Sequence, residues 1–418
     1  MPRPITAIGF HGMNNLEQAP GVLLDDSKRI TPKIVLNAEV TDGGKLVRRK
    51  GFALEIPLPG AHSLWAGAIM LVVANGTLYR IDGAIATAIG AVTGPQAQVT
   101  YQELDNLIYM ATPTWEAVYD LLNNELRSWG LSLPPAPAIS IVAGDMPPGT
   151  YTLCYTAADA AGGGRISGNG PLVRVSWEGG TQGIRLDNLP SGALCWITHP
   201  NGTDLYLATV ANGIITGQAP KITPLPTFAV APPSGICHFA QAFGRMWACQ
   251  GRNLIYSDPF QYEWFRVQNF KPFLEDLVMV APVNNGLFVN SETTTWFLDG
   301  SDPAKMILTR MGEGAVPGTL VYAELPGAVV GGGYEISRRL SQLPSPVWIG
   351  AHGYVVGTQT GHLVHLTESR LRMSVRSQGA GLFRVKQGVP QIIMAMSGNQ
   401  RNGGDPVLSS ILDLGALT

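Results

Sequence analysis

The strongest constraint on this chain is its density of tight-turn signals. Asn-Gly pairs occur at Asn75, Asn169, Asn201, Asn212, Asn285 and Asn402, and Asp-Gly pairs at Asp42, Asp82 and Asp299. Both central residues of a type I′ hairpin turn carry positive φ, which Asn, Asp and Gly adopt at little cost. Short apolar runs lie between the turns: Ile69-Met-Leu-Val-Val-Ala before Asn75, Leu78-Tyr-Arg-Ile after it, Leu107-Ile-Tyr-Met, Leu287-Phe-Val and Thr294-Thr-Trp-Phe-Leu. Many short strands with regular turns predict an all-β protein, a sandwich or a propeller. Gly and Pro supply 81 of 418 residues, which excludes a helical bundle because both break helices. With 45% hydrophobic and 14% charged residues the chain is too apolar to be disordered. A net charge of −2 gives no support to a nucleic-acid binder held by bulk charge. The length suffices for a large core, in one big β domain or two.

The four cysteines, Cys154, Cys195, Cys237 and Cys249, show no C-x-x-C spacing, which argues against a zinc ribbon or a thioredoxin-type site. We expect buried reduced thiols. The opening MPRPITAIGFHGMNN has no apolar signal core after Arg3, so no secretory signal is expected. The longest apolar stretch, Ala66 to Ala74, falls far short of the ~18 residues of a membrane span. The Asn75-Gly-Thr and Asn201-Gly-Thr triplets are read as hairpin turns, not glycosylation sites.

One segment has helical spacing: Trp115, Tyr119, Leu122 and Leu126. The surrounding β context favours a hairpin instead, with strands at Ala117 to Leu122 and Glu125 to Trp129 around Asn123-Asn124. The Pro-rich connectors Leu133-Pro-Pro-Ala-Pro-Ala and Pro220-Lys-Ile-Thr-Pro-Leu-Pro to Pro232-Pro233 bracket an insertion. It holds about seven candidate strands, among them Thr150 to Thr156, Leu172 to Trp177, Gly183 to Leu186, Cys195 to Thr198 and Asp204 to Val210. Tyr151, Leu153 and Tyr155 share one face of the first. The insertion resembles a fibronectin type III sandwich in strand order and loop placement.

Outside it a loose repeat recurs: Met70 to Asp82, Phe243 to Ser257, Asn285 to Gly300 and Ala351 to Leu366. The step from 243 to 285 matches the ~40–50-residue period of propeller blades, whereas that from 285 to 350 would hold one blade and a large loop. About 320 residues remain outside the insertion, enough for roughly six blades, with the first and last strands expected to share one blade. The expected organisation is therefore a β-propeller of about six blades with an inserted immunoglobulin-like β-sandwich. Residues 1–132 and 233–418 form the propeller and 133–232 the insertion.

No cofactor, metal or catalytic residue is assigned. His362 and His365 stand three apart, on opposite faces of a strand, and cannot chelate one ion from it. His11, His62, His199, His238 and His352 have no ligand-like neighbours in sequence. Asp25-Asp26 lies in a polar loop. Asp258, Glu263, Asp276 and Asp299 are possible rim residues, and a hydrolase would need them to converge. There is no G-x-S-x-G, P-loop, Rossmann or H-E-x-x-H motif, and Gly331-Gly-Gly-Tyr is a tight connection. The basic cluster Lys45-Leu-Val-Arg48-Arg49-Lys50-Gly51-Phe52 is read as the second strand of a hairpin after Asp42-Gly43-Gly44, with Arg49 paired to a carboxylate and Leu46 and Phe52 packed; the other reading is a contact to DNA phosphates. Arg370, Arg372, Arg376, Arg384 and Lys386 carry the same two readings, and the first three fall on one strand face, solvated or between subunits. In Tyr256-Ser-Asp-Pro-Phe-Gln-Tyr-Glu-Trp-Phe, the rings of Tyr256, Phe260, Trp264 and Phe265 are expected partly in the core; exposed, they would suit a sugar or protein contact.

Three segments carry a wider resemblance: Ile34-Val-Leu-Asn-Ala-Glu-Val-Thr-Asp-Gly-Gly-Lys-Leu-Val-Arg-Arg-Lys-Gly-Phe, Gly76-Thr-Leu-Tyr-Arg-Ile-Asp, and Arg252-Asn-Leu-Ile-Tyr-Ser-Asp-Pro with Trp264 nearby. In pattern the chain outside the insertion resembles the β-propeller tail proteins of short-tailed bacteriophages, known as nozzle or packaged-DNA stabilisation proteins. The resemblance implies a non-enzymatic structural protein of the virion tail. Several copies, six by the resemblance, would form a ring below the portal and adaptor. That ring would retain and conduct the genome, touching DNA only transiently, and would dock spike, fibre or plug proteins. Low charge suits large subunit interfaces, and a conduit should not grip phosphates. The competing expectation is a propeller-based receptor- or glycan-binding module, or a glycan hydrolase.

Overall fold

The computed structural model describes residues 9–10, 22–24, 29–32, 38–40, 45–48, 54–158, 166–226, 230–231, 233–325, 343–367, 378–386, 389–397 and 408–413. Every regular element among them is a β-strand. Five sheets are four-stranded antiparallel meanders; in four of them each strand pairs with the next in sequence, and in the other the short strand Phe265–Arg266, which pairs with Val230–Ala231, intervenes before the fourth. Blade I is Ala61–Ala66, Met70–Ala74, Thr77–Asp82 and Ile85–Ala91; blade II is Thr100–Leu104, Leu107–Thr112, Trp115–Asp120 and Glu125–Ser128. Blade III is Cys237–Ala242, Arg245–Gln250, Asn253–Tyr256 and Phe270–Pro272, and blade IV is Leu277–Val283, Gly286–Ser291, Thr294–Asp299 and Ile307–Glu313. Blade V is Val321–Ala323, Ser345–Gly350, Gly353–Gly357 and Leu363–His365. A sixth sheet has three strands, Gln378–Lys386, Val389–Ser397 and Leu408–Asp413. The fold is a β-propeller of about six blades.

What joins the blades is visible in how the second strands are buried. Period-two alternation sends successive side chains to opposite faces of a sheet. In Leu107–Thr112, Ile108 and Met110 pack with Leu71, Val73 and Leu78 of blade I, whereas Tyr109 and Ala111 pack with Phe239, Met246 and Ala248 of blade III. In Arg245–Gln250, Met246 and Ala248 face blade II while Trp247 and Cys249 face Leu287 and Val289 of blade IV. In Ser345–Gly350, Trp348 faces Phe288 of blade IV, and Val347 and Ile349 face Ile392 and Met394 of the sixth sheet. A strand sandwiched between two neighbours is apolar on both faces, which is why these strands read as unbroken apolar runs. The cores lie in the seams between blades. The fourth strands, at the outer rim, are largely exposed.

The turn reading holds at some of the described pairs and not at others. Asn75 and Gly76 have φ of 49° and 72°, as a type I′ hairpin requires. Asp105-Asn106 and Phe243-Gly244 form equivalent turns with both φ positive. Asn285-Gly286 does not. The loop there is Asn284-Asn285, and Gly286 already belongs to the strand, where a Cβ would lie 2.0 Å from the Leu298 carbonyl oxygen. Asp299-Gly300 opens a longer connection to Ile307. Asn169 is buried in an irregular stretch, not a hairpin. The pairs at Asp42 and Asn402 lie outside the described residues, as does Gly331.

Trp115–Asp120 and Glu125–Ser128 form the hairpin expected over the helical alternative. Three repeat units, at 70, 243 and 285, span the second and third strands of blades I, III and IV. The unit at 351 spans the third and fourth strands of blade V, one strand out of phase. The first strand of blade V ends at Ala323 and the second starts at Ser345, so the long step holds one blade with a long connection, as expected. Among the described residues the sixth sheet is built only from C-terminal strands, and the five strands before residue 50 pair among themselves. The expected sharing of one blade by the first and last strands is therefore not found; the two nine-residue strands of the sixth sheet form a local hairpin instead. Ala38–Val40 pairs with Leu46–Arg48, the hairpin expected for the basic cluster. Arg49, Lys50 and Phe52 lie outside the described residues.

Between blades II and III the chain makes a seven-stranded sandwich. One sheet has the order Val173–Trp177, Gly149–Thr156, Leu194–Thr198, Leu205–Leu207; the other has Ile139–Met146, Gln182–Leu186, Ile214–Ile215. Tyr151, Leu153 and Tyr155 face the interior with Ile184, Leu186 and Ile197, as their alternation predicts. Tyr151 stacks on Trp177 with ring centroids 4.8 Å apart.

Candidate functional site

Two places concentrate polar side chains in positions set by the fold: the innermost strands along the propeller axis and the junction between blade III and the sandwich. The first strands of blades I to V contain one charged residue, Glu103, whose carboxylate accepts from the Ala68 amide at 3.0 Å. Adjacent blades are stitched near their inner strands by side-chain hydrogen bonds, most of them to backbone. Ser63 Oγ accepts from the Val99 amide (3.0 Å), Tyr101 donates to the Ser63 carbonyl (2.8 Å), and Thr100 Oγ1 accepts from the His238 amide (3.1 Å). Tyr322 donates to the Pro282 carbonyl at 3.0 Å, and Gln378 donates to Gln98 Oε1 at 3.3 Å. Ser63 and His238 hold positive φ of 53° and 44° where the ladder slips by a residue, so both are bulge residues in inner strands. Burial pushes the Tyr101 hydroxyl up and the His238 imidazole down to about 4. Apart from Glu103, the inner strands of blades I to V thus carry neutral groups, and neighbouring ones are tied by hydrogen bonds.

The junction is organised by Asp258. This carboxylate is buried and accepts from Arg266 Nε at 2.8–2.9 Å, Arg266 Nη2 at 2.8 Å and Asn269 Nδ2 at 3.1 Å. A bidentate guanidinium–carboxylate pair fixes direction as well as distance. It braces the long connection from Tyr256 to Phe270, which packs Phe265 into the seam between blades II and III. From that connection the Trp264 indole donates to the Ile166 carbonyl of the sandwich at 3.2 Å. Trp129, the residue after blade II, donates to the Tyr262 carbonyl at 2.9 Å and meets Phe239 edge-on at 4.9 Å. The aromatic segment is therefore mainly a structural clasp. Phe265 is in the core, Tyr256 and Trp264 are half-buried, and Phe260, expected partly inside, is 75% exposed. It projects because its φ of 57° turns the ring out over Gly244.

The other candidates are scattered. Asp276 pairs with Arg252 at the surface (3.5 Å), and Asp299 ends an exposed strand terminus. Among the described residues no three His, Cys, Asp or Glu side chains form a metal-binding group. All four cysteines are free thiols; burial pushes Cys154 and Cys195 up to about 12 and Cys237 to about 11. His362 is exposed. His352, given no partner from sequence, meets Glu313 at 2.6 Å, and His365 lies 3.5 Å from the same carboxylate. Separations of 39 and 52 residues left no local signal for this grouping. Arg384 donates to Gln391 at 3.0 Å, whereas Arg370, Arg372, Arg376, His11 and Asp25-Asp26 lie outside the described residues. Lys45 and Arg48 are exposed.

No family model matches the chain, and no curated protein does. Among solved structures it is similar to the extracellular domain of the putative one-component system BT4673 from B. thetaiotaomicron, at 10% identity and a TM-score of 0.31, over 80% of this chain but 37% of that one. It is also similar to the N-terminal domain of Nup159, at 8% identity and a TM-score of 0.31, over 81% of this chain and 73% of that one. A third is BBS1N in complex with ARL6DN, at 10% identity and a TM-score of 0.30, over 83% and 90% of the two chains. No helix among the described residues is long and apolar enough to cross a membrane.

Proposed function

We propose that this chain is a non-enzymatic structural subunit of a short-tailed phage tail, a nozzle-type protein whose copies assemble into a ring below the portal and adaptor. Its place would be the virion tail, where the ring retains and conducts the genome and docks spike, fibre or plug proteins. The observation that most favours a structural over a hydrolytic role is the use made of Asp258. The one buried carboxylate among the rim candidates is fully engaged by Arg266 and Asn269 in bracing the sandwich junction. A glycosidase needs two carboxyl groups flanking one bond, whereas Asp276 is paired with Arg252 at the surface and Asp299 stands exposed at a strand end. The hydrogen-bonded axis adds a second argument: DNA would pass through a channel between copies, not along the axis of one propeller.

The test is negative-stain imaging of the purified protein with a mass measurement on the same sample, alone and with its adaptor. Rings of uniform symmetry with an open centre support the reading and give the copy number. Monomers that stay single on the adaptor, together with saturable glycan binding, would replace it with the binding-module reading.

A further inference from the structure

Cys237 opens the inner strand of blade III, and Cys249 lies directly across from it on the second strand, as its antiparallel register partner. Both side chains turn to the same face. Cys249 is fully buried in the seam with blade IV, in the cluster of Trp247, Leu254 and Leu287, and Cys237, half-buried, packs against that cluster. The Cys237 thiol reaches across the pair and donates to the Cys249 carbonyl oxygen at 3.7 Å. Directly opposed residues of an antiparallel pair have Cα atoms about 4.5–5.5 Å apart, inside the ~4.4–6.8 Å span of disulfides. The pair is the last rung of its ladder, beyond the bulge at His238, so no further rung opposes a small closing movement. The sandwich cysteines lie differently. Cys154 is opposite Trp196 and Cys195 opposite Tyr155, one register position apart on neighbouring strands. Consecutive positions face opposite sides of a sheet. Cys154 accordingly packs with Trp196 and Leu205, and Cys195 lies in the core between the two sheets.

We propose that Cys237 and Cys249 are an oxidation site: under oxidising conditions they form one disulfide that ties the inner strand of blade III to its second strand, while Cys154 and Cys195 stay thiols. The oxidant is a low-molecular-weight disulfide such as oxidised glutathione. The thiolate of Cys237, the more exposed of the two, attacks one sulfur of that disulfide. A mixed disulfide forms, and one glutathione leaves as a thiolate that takes up a proton. The Cys249 thiolate then attacks Cys237 Sγ and expels the second glutathione. Two protein thiols are oxidised, and one oxidised glutathione is reduced to two thiols. Burial holds the Cys237 thiol up at about 11 and Cys249 well above its ordinary range. Exchange is therefore slow while the seam is closed and faster when it opens. An oxidising compartment favours the bond, and a reducing cytosol keeps the thiols apart. The bond is a property of the propeller and stands apart from the tail reading.

The test is to incubate the purified full chain with an excess of oxidised glutathione, in buffer and in sub-denaturing urea. Thiols are then counted in denaturant and tryptic peptides mapped without reductant. Free thiols should fall from four to two per chain, faster in urea. Cleavage after Arg245 should release residues 222–245 and 246–252 joined through Cys237 and Cys249, and reduction should separate them. Cys249→Ala should give no joined peptides, and Cys154→Ala should still give them. If either variant fails to fold, the wild-type map alone decides. Four thiols persisting in both conditions, a glutathione adduct that stays on Cys237 without the joined peptides, or a bridge that includes Cys154 or Cys195 would overturn the proposal.

Discussion

The propeller and the sandwich are built from similar hairpins yet bury them differently. In the sandwich, the face of Gly149–Thr156 carrying Tyr151, Leu153 and Tyr155 meets one core between two sheets; Cys154 belongs to a small separate cluster with Trp196 and Leu205. In the propeller, a second strand serves two cores at once: Trp247 belongs to the seam with blade IV and its neighbour Met246 to the seam with blade II. A sandwich stands or falls as one unit, whereas in the propeller each seam couples only to the next.

The sharpest way to break this comparison is to empty one core in each region. Trp247→Ala and Tyr151→Ala each remove a fully buried ring and should cost about 3–5 kcal/mol. Followed by denaturant unfolding with hydrogen exchange, the first should lower protection in blades III and IV and spare the sandwich, and the second the reverse. A single transition shifted equally by both would show that the two regions fold as one.

Acid should strain the propeller at one point. His238 is held neutral, with its folded value pushed down to about 4 by burial. The unfolded chain takes up a proton near pH 6.5 while the folded chain does not. Stability is therefore full above pH 6.5 and falls as the pH drops towards 4, by up to about 3 kcal/mol. Replacing His238 with Gln should flatten that slope in urea titrations at stepped pH.

Asp258→Ala should cost about 2 kcal/mol, because it strands a partly buried guanidinium. Its signature should be a changed Trp264 emission, the mark of a loosened sandwich junction. The smallest effect is expected at the Asn75 turn. Asn75→Ala puts a less tolerant residue at positive φ and should cost about 1 kcal/mol in thermal melts, confined to blade I.

Much of this architecture was legible in sequence because it is local. Doubly buried second strands advertise themselves as apolar runs, and alternation places Tyr151, Leu153 and Tyr155 on the sandwich interior. The Asn75-Gly76 turn follows from the positive φ its two residues tolerate. The misread features depend on distant partners. Gly286 is in its strand because Leu298 crowds it, which no neighbour in sequence reveals. The unit at 351 looks like the others because any tight hairpin between blade strands does, whichever pair it joins. The commitment of Asp258 to Arg266 and the grouping of Glu313 with two histidines arise from loops and seams, where pairing carries no period.

The sandwich leaves the propeller after Trp129 and returns by Phe239, and those two rings touch at 4.9 Å. The points of departure and return are therefore neighbours in space, separated by more than a hundred residues of chain. Such an arrangement makes the sandwich an exchangeable module. Recombination could remove it, or seat a different domain there, with only a short linker to reclose the gap and the order of the blades untouched.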